Sequence, residues 1–363
     1  MYHATIYTAL YAILGLLTVA LACFAPGVVP RPDNPDAFIV RDMTGRDVQL
    51  KGPPENIMLF YGILQHYLTV TQSVKEIKGA PLFVKSFVKD SMLGDLFPEF
   101  LHSDTLFSLG TAPLNVETVL RFDTDALVAW HSHTDSFTAI GYPHLIKMAN
   151  FNGDEPSLYR LLADLTRKRE RVGWLWQRFT SKMDQAYALT SQYKPPIRVL
   201  VLGYNYNMWG SSSIDYNHDL VMLNAINMAH NYIFNPRTSV NTEAILGFNP
   251  DVILLADFGN TFTVDDVYTN PVLQPLKAVL DRRVYRMPRG AARMAGPVER
   301  PLLVLWTCLV LHPEVRPLNP FREEVRDTYK ETFDFGMSEA QLDAFLNIKQ
   351  NAGSFGYERF KIL

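Results

Sequence analysis

The sequence predicts an α/β protein of two related lobes joined by a helix, and three observations carry that prediction. The stretch Asn115–Val128 returns as Asn241–Leu254 at a constant offset of 126, with Asn, Glu, Leu, Phe and Asp identical in register. Each copy ends in a continuous apolar run, Ala126–Trp130 and Val252–Ala256. Such runs suit strands of a parallel sheet covered on both faces. Between the copies, Pro156–Gln192 carries apolar residues with helical spacing. The expected fold is α/β: two Rossmann-like lobes of parallel sheet joined by a long rigid backbone helix.

In chain order, the first segment is uncharged from Ala4 to Val29, and Arg31 is the first Lys or Arg. Its core ends in Ala20-Leu21-Ala22-Cys23, where small residues suit a secretory cleavage site. Cys23 directly after it also suits lipidation, although Ala20 stands where a lipobox prefers Leu. The run is also long enough to remain as an uncleaved anchor. Residues 1–23 are therefore read as a signal peptide or lipoprotein export segment. Cleaved, lipidated or retained, it places the following domain outside the cytoplasm.

An amino-terminal α/β lobe is expected over 38–153. Its first strand, Asn56–Phe60, runs into Tyr61-Gly62, and a helix follows at Leu64–Val74. The first repeat then reads as helix Glu117–Phe122, a turn at Asp123-Thr124-Asp125, and strand Ala126–Trp130. The connecting helix is expected over 154–194. Pro156 suits its first turn and Pro195-Pro196 its end. Its basic residues, Arg160, Arg167, Lys168, Arg169, Arg171 and Lys182, are interleaved with Asp164 and Glu170, as on a solvated face. Unbroken, it would be on the order of 50 Å long. The carboxy-terminal lobe, 195–363, repeats the pattern with strand Arg198–Leu202, helix Glu243–Phe248 and strand Val252–Ala256, and closes with a helical tail near Ser338–Lys349.

Composition narrows the function. With 34 basic against 37 acidic side chains among 363 residues there is no basic excess, so no nucleic-acid partner is expected. Two cysteines cannot build a zinc framework or a disulfide scaffold. Cys308, inside the apolar run Leu302–Leu311, reads as a buried structural thiol. There is no nucleophile elbow, glycine-rich phosphate loop or complete metal-ligand set, so no catalysis and no catalytic cofactor are expected.

Several pieces resemble one family. Arg41–Leu50 followed by Pro53–Ile57 is similar to the opening hairpin and first strand of the ABC-transporter periplasmic solute-binding proteins for iron-siderophores, haem and vitamin B12. Gly110–Trp130 resembles the family's amino-lobe segment, Asn241–Asp257 its carboxy-lobe counterpart, and Pro271–Pro288 the stretch after it. The resemblance spans roughly 38–315. It implies a helical-hinge periplasmic binding protein, expected as a monomer, that holds an iron or other metal chelate between its lobes. The implied partner is an ABC permease of the inner membrane. Haem, a corrinoid or a bare metal ion remain alternative ligands. A membrane-tethered sensor or an enzyme on the same scaffold is the alternative of another class.

Parallel α/β sheets bind ligands at loops beyond their strand carboxyl ends. This makes Tyr61, His66, Trp130, His131, His133, Asp135, Tyr204, Trp209 and Asp257 candidate cleft residues, and the resemblance adds Arg289 and Arg293, because the family places ligand contacts in their loop. If their segment is extended, His131 and His133 point the same way and could share a metal with Asp135 nearby; otherwise they line a polar cleft. Trp130 matches a cleft tryptophan of vitamin B12-binding members, or packs the strand end. His66 lines the cleft or lies on the following helix as a satisfied histidine. Tyr204 and Trp209 suit a flat ligand. Asp257 occupies the repeat position of His131, and Arg286, Arg289 and Arg293 suit carboxylate or catecholate oxygens. The resemblance also makes Glu117 and Glu243 permease-docking residues, one per lobe. Both additionally suit helix amino-termini capped by Asn115 and Asn241.

Overall fold

The computed structural model describes residues 38–60, 62–81, 88–89, 91–102, 105–107, 116–149, 155–190, 196–203, 214–229, 241–256, 263–292 and 294–361. A hairpin of β1 (Phe38–Arg41) and β2 (Asp47–Leu50) opens the chain. It leads into β3 (Ile57–Leu59), α1 (Leu64–Thr71), β4 (Ile77–Pro81), α2 (Met92–Leu96), β5 (Thr105–Phe107), α3 (Val116–Leu120), β6 (Ala126–Trp130), α4 (Asp135–Ala139) and β7 (Leu145–Met148). These strands form a parallel sheet in the order β5-β4-β3-β6-β7.

The connecting segment is two helices, α5 (Glu155–Thr166) and α6 (Arg169–Ala188), where the sequence predicts one. Arg167 between them takes φ +56°, a left-handed conformation that ends a helix. Nothing in Thr166-Arg167-Lys168-Arg169 breaks a helix locally, so the cause is tertiary. Helix α5 packs on α1 and β1, whereas α6 lies along a carboxy-terminal helix, and one straight rod cannot serve both. The break is held by the Asp164–Arg169 ion pair at 2.7 Å and by the Arg167 guanidinium 4.9 Å from the Phe38 ring centroid.

The second lobe contains β8 (Ile197–Leu202), α7 (Ile214–Met222), β9 (Ala225–Asn227), α8 (Thr242–Phe248), β10 (Val252–Leu255), α9 (Val264–Thr269), α10 (Lys277–Leu280) and β11 (Val284–Arg286). Its sheet, also parallel, has the order β11-β10-β8-β9. Three helices follow: α11 (Gly296–Leu311), α12 (Phe321–Phe333) and α13 (Glu339–Phe345).

The repeat has a structural reason. The Asp125 carboxylate accepts the backbone N–H groups of Glu55 and Asn56, both at 2.9 Å, tying the start of β6 to that of β3. Asp251 does the same for β10 and β8, accepting the N–H of Arg198 at 3.0 Å while pairing with its guanidinium. In both lobes the aspartate stitches the repeat strand to its sheet neighbour, the first strand of that sheet in the chain.

Side-chain alternation sorts the second sheet into two faces. Val199, Val201, Val252, Leu254 and Tyr285 join the main core with the first lobe and the connecting helices. Leu200, Leu202, Ile253, Leu255 and Val284 form a smaller core under α8–α10. Helix α11 is apolar nearly all round and buried between α6 and the tail, and it contains the buried Cys308, whose thiol burial pushes up to about 12. Its last carbonyls accept from Arg283 (Val310 and Leu311) and Arg359 (Leu309), which satisfies a helix end inside the core.

The tail, expected with the second lobe, touches both. Helix α12 lies along α6 through Arg178–Thr328 (2.8 Å) and Lys182–Glu324 (2.7 Å). It reaches the first lobe through Gln72, which donates to the Thr332 carbonyl at 2.7 Å, and through Phe97 against Phe333. Helix α13 sits on the second lobe, where the Arg289 N–H donates to the Phe345 carbonyl. Among the described residues, no helix is long and apolar enough to cross a membrane.

Candidate functional site

Both sheets reverse strand order beside their central strands, between β3 and β6 in the first lobe and between β8 and β10 in the second. A crevice for ligand opens at such reversals, beyond the carboxyl ends of the strands. The loops after β3, β6, β8 and β10 are those singled out from the sequence. Tyr61, Tyr204, Trp209, Asp257, Arg293 and the lipidation candidate Cys23 lie outside the described residues, as does Asn115.

At the first reversal Trp130 ends β6 and is 9% exposed. It lies over the turn after β3, where Gly62 has φ +84°. A Cβ at Gly62 would come within 3.1 Å of the indole Cζ2, so a glycine permits both the backbone turn and the close approach. The indole thus forms a wall between the two loops.

His131–His133 is a 3₁₀ turn, not the extended segment that would align its histidines. Thr134, fully buried, closes it by donating both its N–H (3.2 Å) and its hydroxyl (2.8 Å) to the His131 carbonyl. With three residues per turn, side chains two apart leave on different sides. His131 is exposed, whereas the half-buried His133 packs against Phe60 at 4.9 Å between centroids, with Ser132 Oγ 3.0 Å from its Nδ1. Asp135 is exposed at the start of α4. The aligned pair expected for metal is therefore not formed. Among the described residues, no group of three or more His, Cys, Asp or Glu is placed to hold a metal ion.

His66 is buried. It sits on α1, 2% exposed, with Nδ1 3.0 Å from the Tyr159 hydroxyl of α5 and its ring edge-on to that phenol. Burial holds its pKa down at about 4, so the imidazole is neutral across ordinary pH. Gly296 (φ +73°) closes the junction from α11: a Cβ there would stand 3.0 Å from the Tyr159 hydroxyl and 3.3 Å from the His66 ring. This histidine packs α1, α5 and α11 together.

In the second lobe, the loop from β11 to α11 carries arginines singled out from the sequence. Its half-buried Arg289 is fixed through its backbone to α13. Arg286 is not on the rim; it is buried, and Asn351 clasps its N–H and carbonyl at 2.6 and 2.9 Å. The loop is organised by Glu299, a residue the sequence reading passed over. This carboxylate is 1% exposed and accepts the N–H groups of Ala291 (2.6 Å), Ala292 (2.8 Å) and Met294 (3.1 Å), together with the Tyr329 hydroxyl. Burial outweighs these donors and raises its pKa. The signal available was a glutamate, next to Arg300, inside a helix that is apolar almost throughout, since such residues are rarely buried without partners.

A second group the sequence reading missed joins the connecting helices to the second lobe. Glu155, the first residue of α5, accepts the Gly296 N–H at 3.1 Å and so caps α11 from another element. Arg300 lies 4.0 Å from Glu155 and makes two 3.0 Å bonds to Asp219 of α7, which also accepts the Tyr187 hydroxyl of α6 at 2.6 Å. Glu117 and Glu243 are exposed in the first turns of α3 and α8. Asn241 caps α8 as expected, accepting the Ala244 N–H at 2.8 Å.

No protein-family model matches the chain, and no curated protein matches it. Solved structures do. A periplasmic solute-binding protein of Veillonella parvula is 22% identical, with a TM-score of 0.76 over 87% of this chain and 98% of its own. A nickel–histidine complex of Helicobacter pylori CeuE is 19% identical, with a TM-score of 0.69 over 85% and 99%. The Haemophilus influenzae periplasmic binding protein MolA, bound to molybdate, is 16% identical, with a TM-score of 0.68 over 83% and 99%. The chain thus has the α/β fold of the periplasmic solute-binding proteins of ABC transporters, two parallel-sheet lobes with helices between them.

Proposed function

We propose that the protein is the extracytoplasmic solute-binding component of an ABC importer, and that it captures a metal chelate of the iron-siderophore class between its lobes. One observation carries the reading: two parallel sheets, each with its strand-order reversal at a loop predicted to bind, are joined by helices rather than by crossing strands. Helices resist bending, so closure is small and affinity rests on a largely preformed cleft. Trp130, Arg289 and the exposed His131 and Asp135 are assigned to its walls. Tyr61, Tyr204, Trp209, Asp257 and Arg293 are assigned to the same cleft from the sequence.

The likeness to proteins solved with nickel–histidine and with molybdate supports a metal-containing ligand. Haem, a corrinoid or a bare metal ion form the second reading, favoured by the imidazole exposed at His131. Glu117 and Glu243 are proposed to meet basic residues of the permease. Native mass spectrometry of protein from iron-starved cells tests the ligand assignment, which fails if siderophores, haem, corrinoids and free metals all fail to bind at micromolar concentration. Charge reversal at Glu117 and Glu243 should lower uptake while ligand affinity holds; unchanged uptake removes the docking assignment. Recovery of chemically altered ligand would instead favour an enzyme.

A further inference from the structure

We infer that the elbow between α5 and α6 is a surface for anionic phospholipid headgroups. Arg167, Lys168 and Arg169 follow one another at the break, all exposed, and Arg160 is exposed two turns earlier on α5. Against these four cations stand two carboxylates, Asp164 and Glu170, and Asp164 already holds Arg169. Along this stretch of chain the excess is therefore positive, in a protein whose net charge is −3. One turn into α6, Trp174 is 38% exposed, with the Arg171 guanidinium 5.8 Å from its ring. Exposed tryptophan beside Lys and Arg is the chemistry of a membrane–water interface.

The position of the elbow in the chain names the partner. The Arg167 guanidinium stacks on Phe38, the first described residue. Only residues 30–37 separate Phe38 from Val29, the end of the uncharged apolar run. At about 3.5 Å per residue they span at most about 30 Å. Where that run stays in the bilayer, the elbow is confined to this distance from the surface, and a helix break that displays three consecutive cations meets headgroups at high effective concentration. A lipid on Cys23 gives the same confinement on a longer leash. The inference needs the amino-terminal tether but no particular solute.

The test uses the full chain in nanodiscs of phosphatidylcholine, with or without phosphatidylglycerol. Hydrogen exchange at 167–174 and quenching of tryptophan by headgroup-labelled lipid are read, with Trp174→Phe isolating Trp174. Phosphatidylglycerol should protect the elbow and raise Trp174 quenching, with both effects fading at high salt. Lys168→Glu with Arg169→Glu should weaken the contact by about fivefold per cation lost. Lys349→Glu on the tail should leave it unchanged. Equal signals in both lipids, indifference to the double variant, or an equal effect of Lys349→Glu would overturn the inference. Equal protection by an oligonucleotide without anionic lipid would overturn the lipid assignment.

Discussion

The loops after β6 and β11, the proposed rims of the cleft, are built in opposite ways. After β6 the rim is held largely by side chains: the Trp130 indole on Gly62, the His133 ring on Phe60, and the Thr134 hydroxyl, which closes a 3₁₀ turn together with its own N–H. After β11 the rim is held through its backbone, three N–H groups converging on the buried Glu299 carboxylate. A loop fixed by its backbone keeps its shape whatever its side chains do. A loop fixed by side-chain packing presents exposed groups, here His131 and Asp135, at little structural cost. The second lobe thus supplies a set frame and the first an adjustable face.

The largest effect should come from dismantling the frame. Glu299→Ala leaves buried donors unsatisfied at three backbone positions and Tyr329, and should cost about 4 kcal/mol of unfolding free energy in urea titrations. Glu299→Gln, which keeps one acceptor oxygen, should cost roughly half as much. A loss below about 1 kcal/mol for the alanine variant would mean that α11 and α13 hold the loop without the carboxylate.

Next is the acid response of the junction between α1, α5 and α11. Between pH 6.5 and about 4 the unfolded imidazole of His66 binds a proton and the buried one does not, so stability falls as pH falls through that window. The full loss is about 3 kcal/mol. Glu299 works in the opposite sense. Its raised carboxyl binds a proton in the native state first, which favours folding as pH falls through its folded pKa. The urea midpoint of His66→Asn should therefore depend less on pH than that of the parent. Parallel curves for the two proteins would show that the histidine is not what acid attacks.

These two sites also show what the sequence makes legible. Strands β6, β8 and β10 and the capped α8 follow from apolar runs and turn residues, which are local signals. The repeat marks Asp125 and Asp251 as equivalent, but the stitches they make to β3 and β8 are seen only in the folded structure. Glu299 and Glu155 were hidden because a glutamate reads as a surface residue until neighbours distant in the chain enclose it. The break at Arg167 was hidden because all four residues around it suit a helix, and only packing on two different partners ends one there. The histidine turn misled for a related reason: its shape depends on the N–H and hydroxyl of Thr134 both returning to the His131 carbonyl, which alternation does not encode.

A smaller effect should follow from crowding the adjustable face. Gly62→Ala places a methyl 3.1 Å from the Trp130 ring at a backbone angle of φ +84°. It should cost about 1–2 kcal/mol in urea and alter the tryptophan fluorescence, because the indole must shift. A change in stability with identical fluorescence would place the strain in the backbone alone.

The smallest effect separates the two histidines of one turn. His133→Ala removes the ring packed on Phe60 and should cost about 1 kcal/mol. His131→Ala removes an exposed side chain and should stay within about 0.5 kcal/mol of the parent. If the two cost the same, the His133–Phe60 contact contributes nothing and the whole turn is adjustable. If His131→Ala proves the costlier, the first lobe is framed as firmly as the second, and the contrast between the rims fails. With the expected order, His131 can change without disturbing the fold, so nickel affinity measured on His131→Ala reads ligand chemistry and not stability.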